Sequence, residues 1–222
     1  MQYWMGPDRS VAPAPPVRTR SYQPMTTPDP ETDDEWIERI EHDRQAKVEY
    51  FRDHPRSPLP PDMRGEAFPG LAYYDPDPDY RFVLELHEHE EKETVTVETT
   101  ADGEQTYLRW GEFRFEVDGE ECRLQAYRPD RDADRFWVPF RDETNGEETY
   151  GAGRYIDLEP DEHRTEDGRW VLDFNVAYNP TCAYNYAYEC PLIPMENWLE
   201  VPVEAGEKDF PAEPAQPDGH QH

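Results

Sequence analysis

From Tyr80 onward the chain alternates between apolar and polar residues. The pattern runs through YRFVLELHE, ETVTVETT, EQTYLRW, EFRFEV, ECRLQAYR, DRFWVPF, TYGAGRYIDLE, RWVLDFN and WLEVPVEA. A period of two marks half-buried strands. Asp118-Gly119 stands between EFRFEV and ECRLQAYR. That dipeptide favours a two-residue hairpin, whose two central positions need positive φ. Asp102-Gly103 marks an earlier hairpin, and Asn145-Gly146 turns the chain after DRFWVPF. Many short strands joined by short turns predict a mainly β fold, an antiparallel β-barrel or β-sandwich.

One segment has a different period. Between Thr32 and Asp53, the residues Trp36, Ile37, Ile40, Val48 and Phe51 fall on one broad helical face. Thr32 and Glu35 fit a capping box, and Pro55 and Pro58 end the helix. One N-terminal helix packed on the sheet is therefore expected. Its histidines, His42 and His54, read as solvated. After it comes a proline-punctuated connection, which Leu59, Phe68, Leu71, Tyr73 and Tyr74 pin across the core. Residues 1–28 are rich in Pro, Ser, Thr and Arg and lack an apolar period, so a disordered N-terminal segment is predicted. A disordered tail is predicted over 210–222, leaving a single β-rich domain over 29–209.

The chain has 222 residues, 51 of them acidic and 22 basic, for a formal net charge of -29. Only Lys47, Lys92 and Lys208 are lysines. A lysine-poor acidic shell suits a halophilic protein, because concentrated salt screens its self-repulsion over a Debye length of about 3 Å at 1 M. There is no basic patch to meet phosphates, so no nucleic-acid partner is expected. No apolar run approaches the roughly 20 residues that span a bilayer, so no membrane partner is expected either. The first residues lack the basic-then-apolar order of a signal peptide, and a cytoplasmic location is expected. Three cysteines make no disulfide framework.

The chemistry-bearing residues concentrate between Thr149 and Lys208. Alternation in TYGAGRYIDL puts Tyr150, Ala152, Arg154, Ile156 and Leu158 on one face, so Arg154 points inward. A buried guanidinium needs a carboxylate or several carbonyls, and Asp173 in a neighbouring strand is the expected partner. That pair either fixes strand register or anchors an anion on a cavity floor. The DFNVAYNPTC segment and its tyrosine-rich continuation supply amides and hydroxyls that line a polar pocket or staple a loop. Cys182 and Cys190 have seven residues between them, which is not a zinc-knuckle spacing. They read as packed thiols, a loop-closing disulfide, or a weak metal pair with zinc as its ion. Cys122 reads as a core thiol. His87 and His89 share a strand face and form at best an adventitious surface site for divalent ions. There is no GxSxG and no support for a serine triad.

Taken together, several segments resemble one family. They are Phe140-Arg141-Asp142, Thr144-Asn145-Gly146, Thr149-Tyr150-Gly151, Gly153-Arg154-Tyr155, Asp173-Phe174-Asn175, Ala177-Tyr178-Asn179-Pro180, Cys182-Ala183, Cys190-Pro191, Pro194, Glu196-Asn197 and Ala205-Gly206-Glu207-Lys208, with Ser57-Pro58-Leu59 upstream. The chain resembles the domain-of-unknown-function family 1684 (DUF1684) from about residue 32 to 209, in an acid-rich, lysine-poor version like a haloarchaeal member. The resemblance implies no activity, substrate or cofactor.

Three functional expectations follow. The first is a binding module for a small polar or anionic molecule, with a pocket built from Tyr150, Arg154, Asp173, Asn175, Tyr178, Asn179, Glu196 and Asn197. The second is a hydrolase-like enzyme using Asp173 or Glu196, with a metal at Cys182 and Cys190. The third is a structural keystone, with function in an assembly surface.

Overall fold

The computed structural model describes residues 32–216. The predicted disordered segment 1–28 lies outside the described residues. Helix α1 covers Asp33–Asp53, and its capping box is present: the Glu35 amide donates to Thr32 Oγ1 (3.3 Å) and the Thr32 amide to Glu35 Oε2 (3.0 Å). Trp36, Ile40 and Phe51 are buried, and Ile37 and Val48 half-buried. The inner face also carries two cations. Arg44 donates to the carbonyls of Tyr74 (2.8 Å) and Asn175 (3.2 Å), and Lys47 pairs with Glu207 (2.7 Å).

Among the described residues seven strands follow: β1 (Arg81–Leu84), β2 (His87–Glu98), β3 (Glu104–Val117), β4 (Glu120–Arg128), β5 (Phe136–Phe140), β6 (Arg154–Leu158) and β7 (Trp170–Asp173), with a single-turn helix α2 (Pro160–His163) before β7. They form two antiparallel sheets, a five-stranded one in the order β2-β3-β4-β5-β6 and a two-stranded one, β1-β7. Neither sheet closes on itself into a barrel. Asp118 (φ 52°) and Gly119 (φ 87°) make the expected tight hairpin between β3 and β4. Asn145 and Gly146 turn the chain between β5 and β6, where the Gly146 amide donates to the Thr149 carbonyl (2.9 Å).

Several strand boundaries differ from the sequence reading. EQTYLRW and EFRFEV are one strand, β3, because an irregularity between Arg109 and Gly111 absorbs the slip in alternation. TYGAG is a turn rather than the start of a strand. WLEVPVEA joins no ladder; Trp198 makes only an isolated bridge to Arg141. The segment's first half is held by backbone bonds to 141–143: the Leu199 amide donates to the Arg141 carbonyl (2.8 Å) and the Glu143 amide to the Val201 carbonyl (3.2 Å). From Val203 onward its carbonyls meet a side chain, as described below. The predicted tail is also corrected up to residue 216. Phe210 is buried against Phe51, Leu59, Ala183 and Tyr184, and Ala215 exchanges backbone hydrogen bonds with Tyr184 and Tyr186. One aromatic ring and two hydrogen bonds outweigh the proline-rich composition there.

The main core lies between the sheets, with Phe115, Phe140 and Leu172 meeting Phe174 and Val203. Cys122 belongs to it, as expected of a core thiol. A second cluster under α1 holds Phe51, Leu59, Tyr184 and Phe210. A third, on the opposite face of the five-stranded sheet, holds Tyr127, Trp137, Tyr155 and Ile193. The alternation of β6 explains the split: Ile156 and Leu158 face the main core, whereas Tyr155 faces the third cluster.

Each of the three lysines is both ion-paired and set over an aromatic ring. Lys47 pairs with Glu207 beside Phe51, Tyr178 and Tyr184; Lys92 with Glu88 over Trp110 (4.6 Å); and Lys208 with Glu148 over Tyr74 (4.3 Å). Such a seat suits a compact ammonium on a flexible stem.

Candidate functional site

Arg154 opens β6 with none of its surface exposed. Its partner is Asp142 (Nη2 to Oδ2, 2.8 Å), not Asp173. The reason is topological. Strand β6 pairs with β5, which ends two residues before Asp142, whereas Asp173 ends β7 in the other sheet. The other Nη donors go to the last extended segment: Nη2 reaches the Val203 carbonyl (2.9 Å), and Nη1 the carbonyls of Ala205 and Glu207, while Nε is buried without a hydrogen-bond partner. The Val203 amide in turn donates to Asp142 Oδ1 (3.2 Å), so the ion pair grips Val203 from both sides. The Nη donors of one guanidinium thus take the place of a neighbouring strand along residues 203–207. Gly153 lets the chain enter this node at φ 97°. A Cβ there would clash with Ile193 Cδ1 and lie 2.6 Å from the Phe140 carbonyl oxygen.

Asp173 serves α1 instead. It accepts from Trp36 Nε1 (2.8 Å) and from the Asn175 amide (2.9 Å), with Arg81 at 3.8 Å. Asn175 clasps the backbone of Asp77 on both sides, accepting from its amide and donating to its carbonyl (2.8 Å each). Asn179 donates Nδ2 to the Lys208 carbonyl (2.8 Å) and its amide to Glu207 (2.9 Å). Tyr178 donates to Asp157 (2.6 Å). Burial raises the pKa of both partners, and the Asp157 charge pushes the Tyr178 hydroxyl further up.

Asn197 is a clamp. Strands β4 and β5 share one paired position, Tyr127 with Trp137, and then separate. In the gap Asn197 accepts from the Gln125 amide (2.8 Å) and donates to the carbonyls of Gln125 (2.9 Å) and Pro139 (2.6 Å). One side-chain amide supplies the missing ladder bonds. Glu196, beside it, accepts from Tyr127 (2.9 Å) and Arg109 (3.4 Å).

Glu207, Lys47 and Asp142 were not singled out as functional side chains. Glu207 is nearly enclosed and accepts from Lys47, the Tyr184 hydroxyl (2.6 Å) and the Asn179 amide. Glu207 and Asp142 stood in the family-like segments, but a lone acidic residue in so acidic a chain carries no signal by itself. Lys47 was visible as one of three lysines.

The second polar centre is built on sulfur. Cys182 sits in a 3-10 turn (Thr181–Ala183), and its amide donates to Cys190 Sγ (3.3 Å). The Tyr150 hydroxyl lies 3.6 Å from Cys182 Sγ, and the Cys190 amide donates to Thr100 Oγ1 (3.1 Å). The Cys190 S–H bond holds the Cys182 thiol down at about 7, with Tyr150 and Thr100 helping against burial. The same bond, with burial, pushes the Cys190 thiol up. Burial and the Cys182 charge push the Tyr150 hydroxyl up. The two sulfurs are free thiols. No third His, Cys, Asp or Glu joins them as a metal group among the described residues, so the four-ligand arrangement of zinc is not assembled. His89 Nε2 contacts Gln125 Oε1 (2.7 Å) rather than joining His87 in an ion site.

Against this centre lies a cleft of about 490 Å³ lined by Tyr150, Gly151, Ala183, Tyr186 and the arm Asp209 to Pro214. Of the eight candidate ligand-binding residues, only Tyr150 lines it; the other seven are bound into the fold as described. The cleft wall has two carboxylates, Asp209 and Glu213, and no arginine or lysine. Arg154 does not line this cleft.

These features describe a mainly β protein of two antiparallel sheets and an N-terminal helix, with a polar signature turned inward. The chain belongs to the family described as "Protein of unknown function (DUF1684)", whose model matches residues 66–208. It is similar to the uncharacterized protein from gene locus rrnAC0354 of Haloarcula marismortui, known from a solution NMR structure. The two share 42% sequence identity with a TM-score of 0.60, over 79% of this chain and 95% of that one. A comparison with curated proteins found no match. No helix among the described residues is long and apolar enough to cross a membrane.

Proposed function

We propose that the protein binds a small cationic or neutral polar molecule in the cleft beside Tyr150. The observation that carries this reading is the lining itself. Tyr150, Tyr186 and Phe210 supply aromatic rings, and Asp209 and Glu213 supply carboxylates, around about 490 Å³. That volume suits a small ligand, and rings beside carboxylates favour an ammonium or guanidinium group. A net charge of -29 raises the local concentration of cations further. The first sequence expectation placed the pocket on the YGAGRY and DFNVAYNPTC segments. The proposed cleft keeps Tyr150, Gly151 and the neighbour of Cys182, and leaves Arg154 to the fold.

The test is an NMR titration with tetramethylammonium, with acetate as the anionic control, at constant ionic strength. Gly151 has an ordinary φ, and a Cβ there would have its nearest contact at 3.8 Å, so Gly151→Phe fills the cleft without straining the backbone. Saturable shifts at Tyr186 and Phe210 that vanish in Gly151→Phe support the reading. Shifts unchanged in that variant, or shifts with acetate alone, overturn it.

The keystone reading rests on a separate observation, the complete engagement of Asp142 and the enclosure of Arg154. We propose it as the role of the inward signature, beside the cleft and not in place of it. Nothing favours the hydrolase-like reading, since Asp173 and Glu196 line neither the main cleft nor the smaller one near Arg164.

A further inference from the structure

We propose that Cys182 and Cys190 form a reversible dithiol–disulfide pair that takes two electrons' oxidation from a small peroxide. The inference goes beyond ligand binding in the cleft and does not depend on it.

Three geometric facts point to it, beside the electrostatic coupling by which each thiol shifts the other. The Cys182 amide holds Cys190 Sγ at 3.3 Å, over the start of the 3-10 turn. The Tyr150 hydroxyl lies 3.6 Å from Cys182 Sγ, within reach of a thiolate on that sulfur. Neutral donors thus face both sulfurs, and the Cys182 thiol, held down at about 7 while that of Cys190 is pushed up, takes the attacking role with Cys190 resolving. Finally, the segment between the two cysteines is anchored at both ends, by Ala183 to the Pro180 carbonyl and by Cys190 to Thr100, while its middle exposes Tyr186 and Tyr188. A disulfide there requires the sulfurs to close to roughly 2.05 Å.

The asymmetry assigns the steps. Cys182 thiolate attacks one oxygen of hydrogen peroxide. The O–O bond breaks, hydroxide leaves and takes a proton as water, and Cys182 is left as a sulfenic acid. The Cys190 sulfur then attacks the Cys182 sulfur. The S–S bond forms, the S–O bond breaks, and the Cys190 proton leaves with the hydroxide as a second water. Two thiols lose two electrons in total, and one peroxide becomes two waters.

The experiment uses the purified full chain, treated with hydrogen peroxide, denatured and alkylated, with intact mass and peptide mapping as readouts. Of the three free thiols, only Cys122 is expected to remain alkylatable, with a 182–190 cross-link that dithiothreitol reverses. Cys122→Ser leaves the cross-link in place. Cys190→Ser accumulates a dimedone-reactive sulfenic acid at Cys182, which tests the order of attack even if the cross-link is absent for another reason. Three alkylatable thiols after excess peroxide overturn the proposal. So does oxidation of Cys182 to a sulfinic acid while Cys190 stays alkylatable in the unmutated chain.

Discussion

Arg154 and Tyr150 lie four positions apart in one segment, yet they belong to regions of opposite character. Around Arg154 the polar groups face one another. The guanidinium, Asp142 and three carbonyls of the last extended segment form a closed unit with no exposed surface on either charge. Around Tyr150 the bonding has a single layer. One side of the hydroxyl meets Cys182, and the ring borders a cleft. The contrast teaches that an inward-pointing arginine among aromatics is poor evidence for a ligand site when an unpaired backbone segment lies within its reach. Such carbonyls need donors, and a guanidinium supplies them in a fixed fork.

The largest effect is expected where the unit is closed. Arg154→Ala leaves Asp142 buried without its partner and should cost about 3–5 kcal/mol in denaturant unfolding. Because both charges are shielded from solvent, this penalty should be the same in dilute and in molar salt. The parent protein itself should be less stable in dilute buffer, where its acidic surface is unscreened. A penalty that shrinks as salt rises would break the comparison, since it would place the pair in solvent contact.

Lys47→Met should cost somewhat less, about 3 kcal/mol. Glu207 then loses its cation but keeps the Tyr184 hydroxyl and the Asn179 amide. Thermal melts of Lys47→Met and Lys47→Arg sharpen the point. If arginine restores the parent melting temperature, the aromatic seat does not select an ammonium.

The smallest effect is expected at the open region. Tyr150→Phe removes one donor to Cys182 and should cost under about 1 kcal/mol. Its signature is in pH. The folded-state value for Cys182 is depressed to about 7, so its contribution is present above the ordinary thiol value and lost as pH falls through about 7. Removing the donor raises the folded-state value, so the variant should lose more stability at alkaline than at acidic pH. Thiolate absorbance against pH should move upward in parallel. A Tyr150→Phe variant whose thiolate titration is unmoved would separate Tyr150 from the sulfur centre.

Much of the fold was legible in local pattern. The capping box at Thr32, the alternation of β4, and the Asp118-Gly119 turn depend on residues a few positions apart, and each appears as read. The inward aim of Arg154 was legible for the same reason. Its partner was not. Asp173 stands in the next strand by sequence, but strand order puts β6 beside β5 and β7 beside β1. Asn197 was read as a pocket residue, and only the separation of β4 from β5 shows why a side-chain amide is needed there.

What the sequence by itself determined is therefore the helix, most of the strands, the position of the polar signature and the concentration of charge outside it. Each follows from periodicity or composition along the chain. What only the tertiary structure decided is which polar group meets which: Arg154 with Asp142, Glu207 with Lys47, and Cys182 with Cys190 and Tyr150. The physical reason is that a buried donor takes the acceptor that long-range topology brings within about 3 Å.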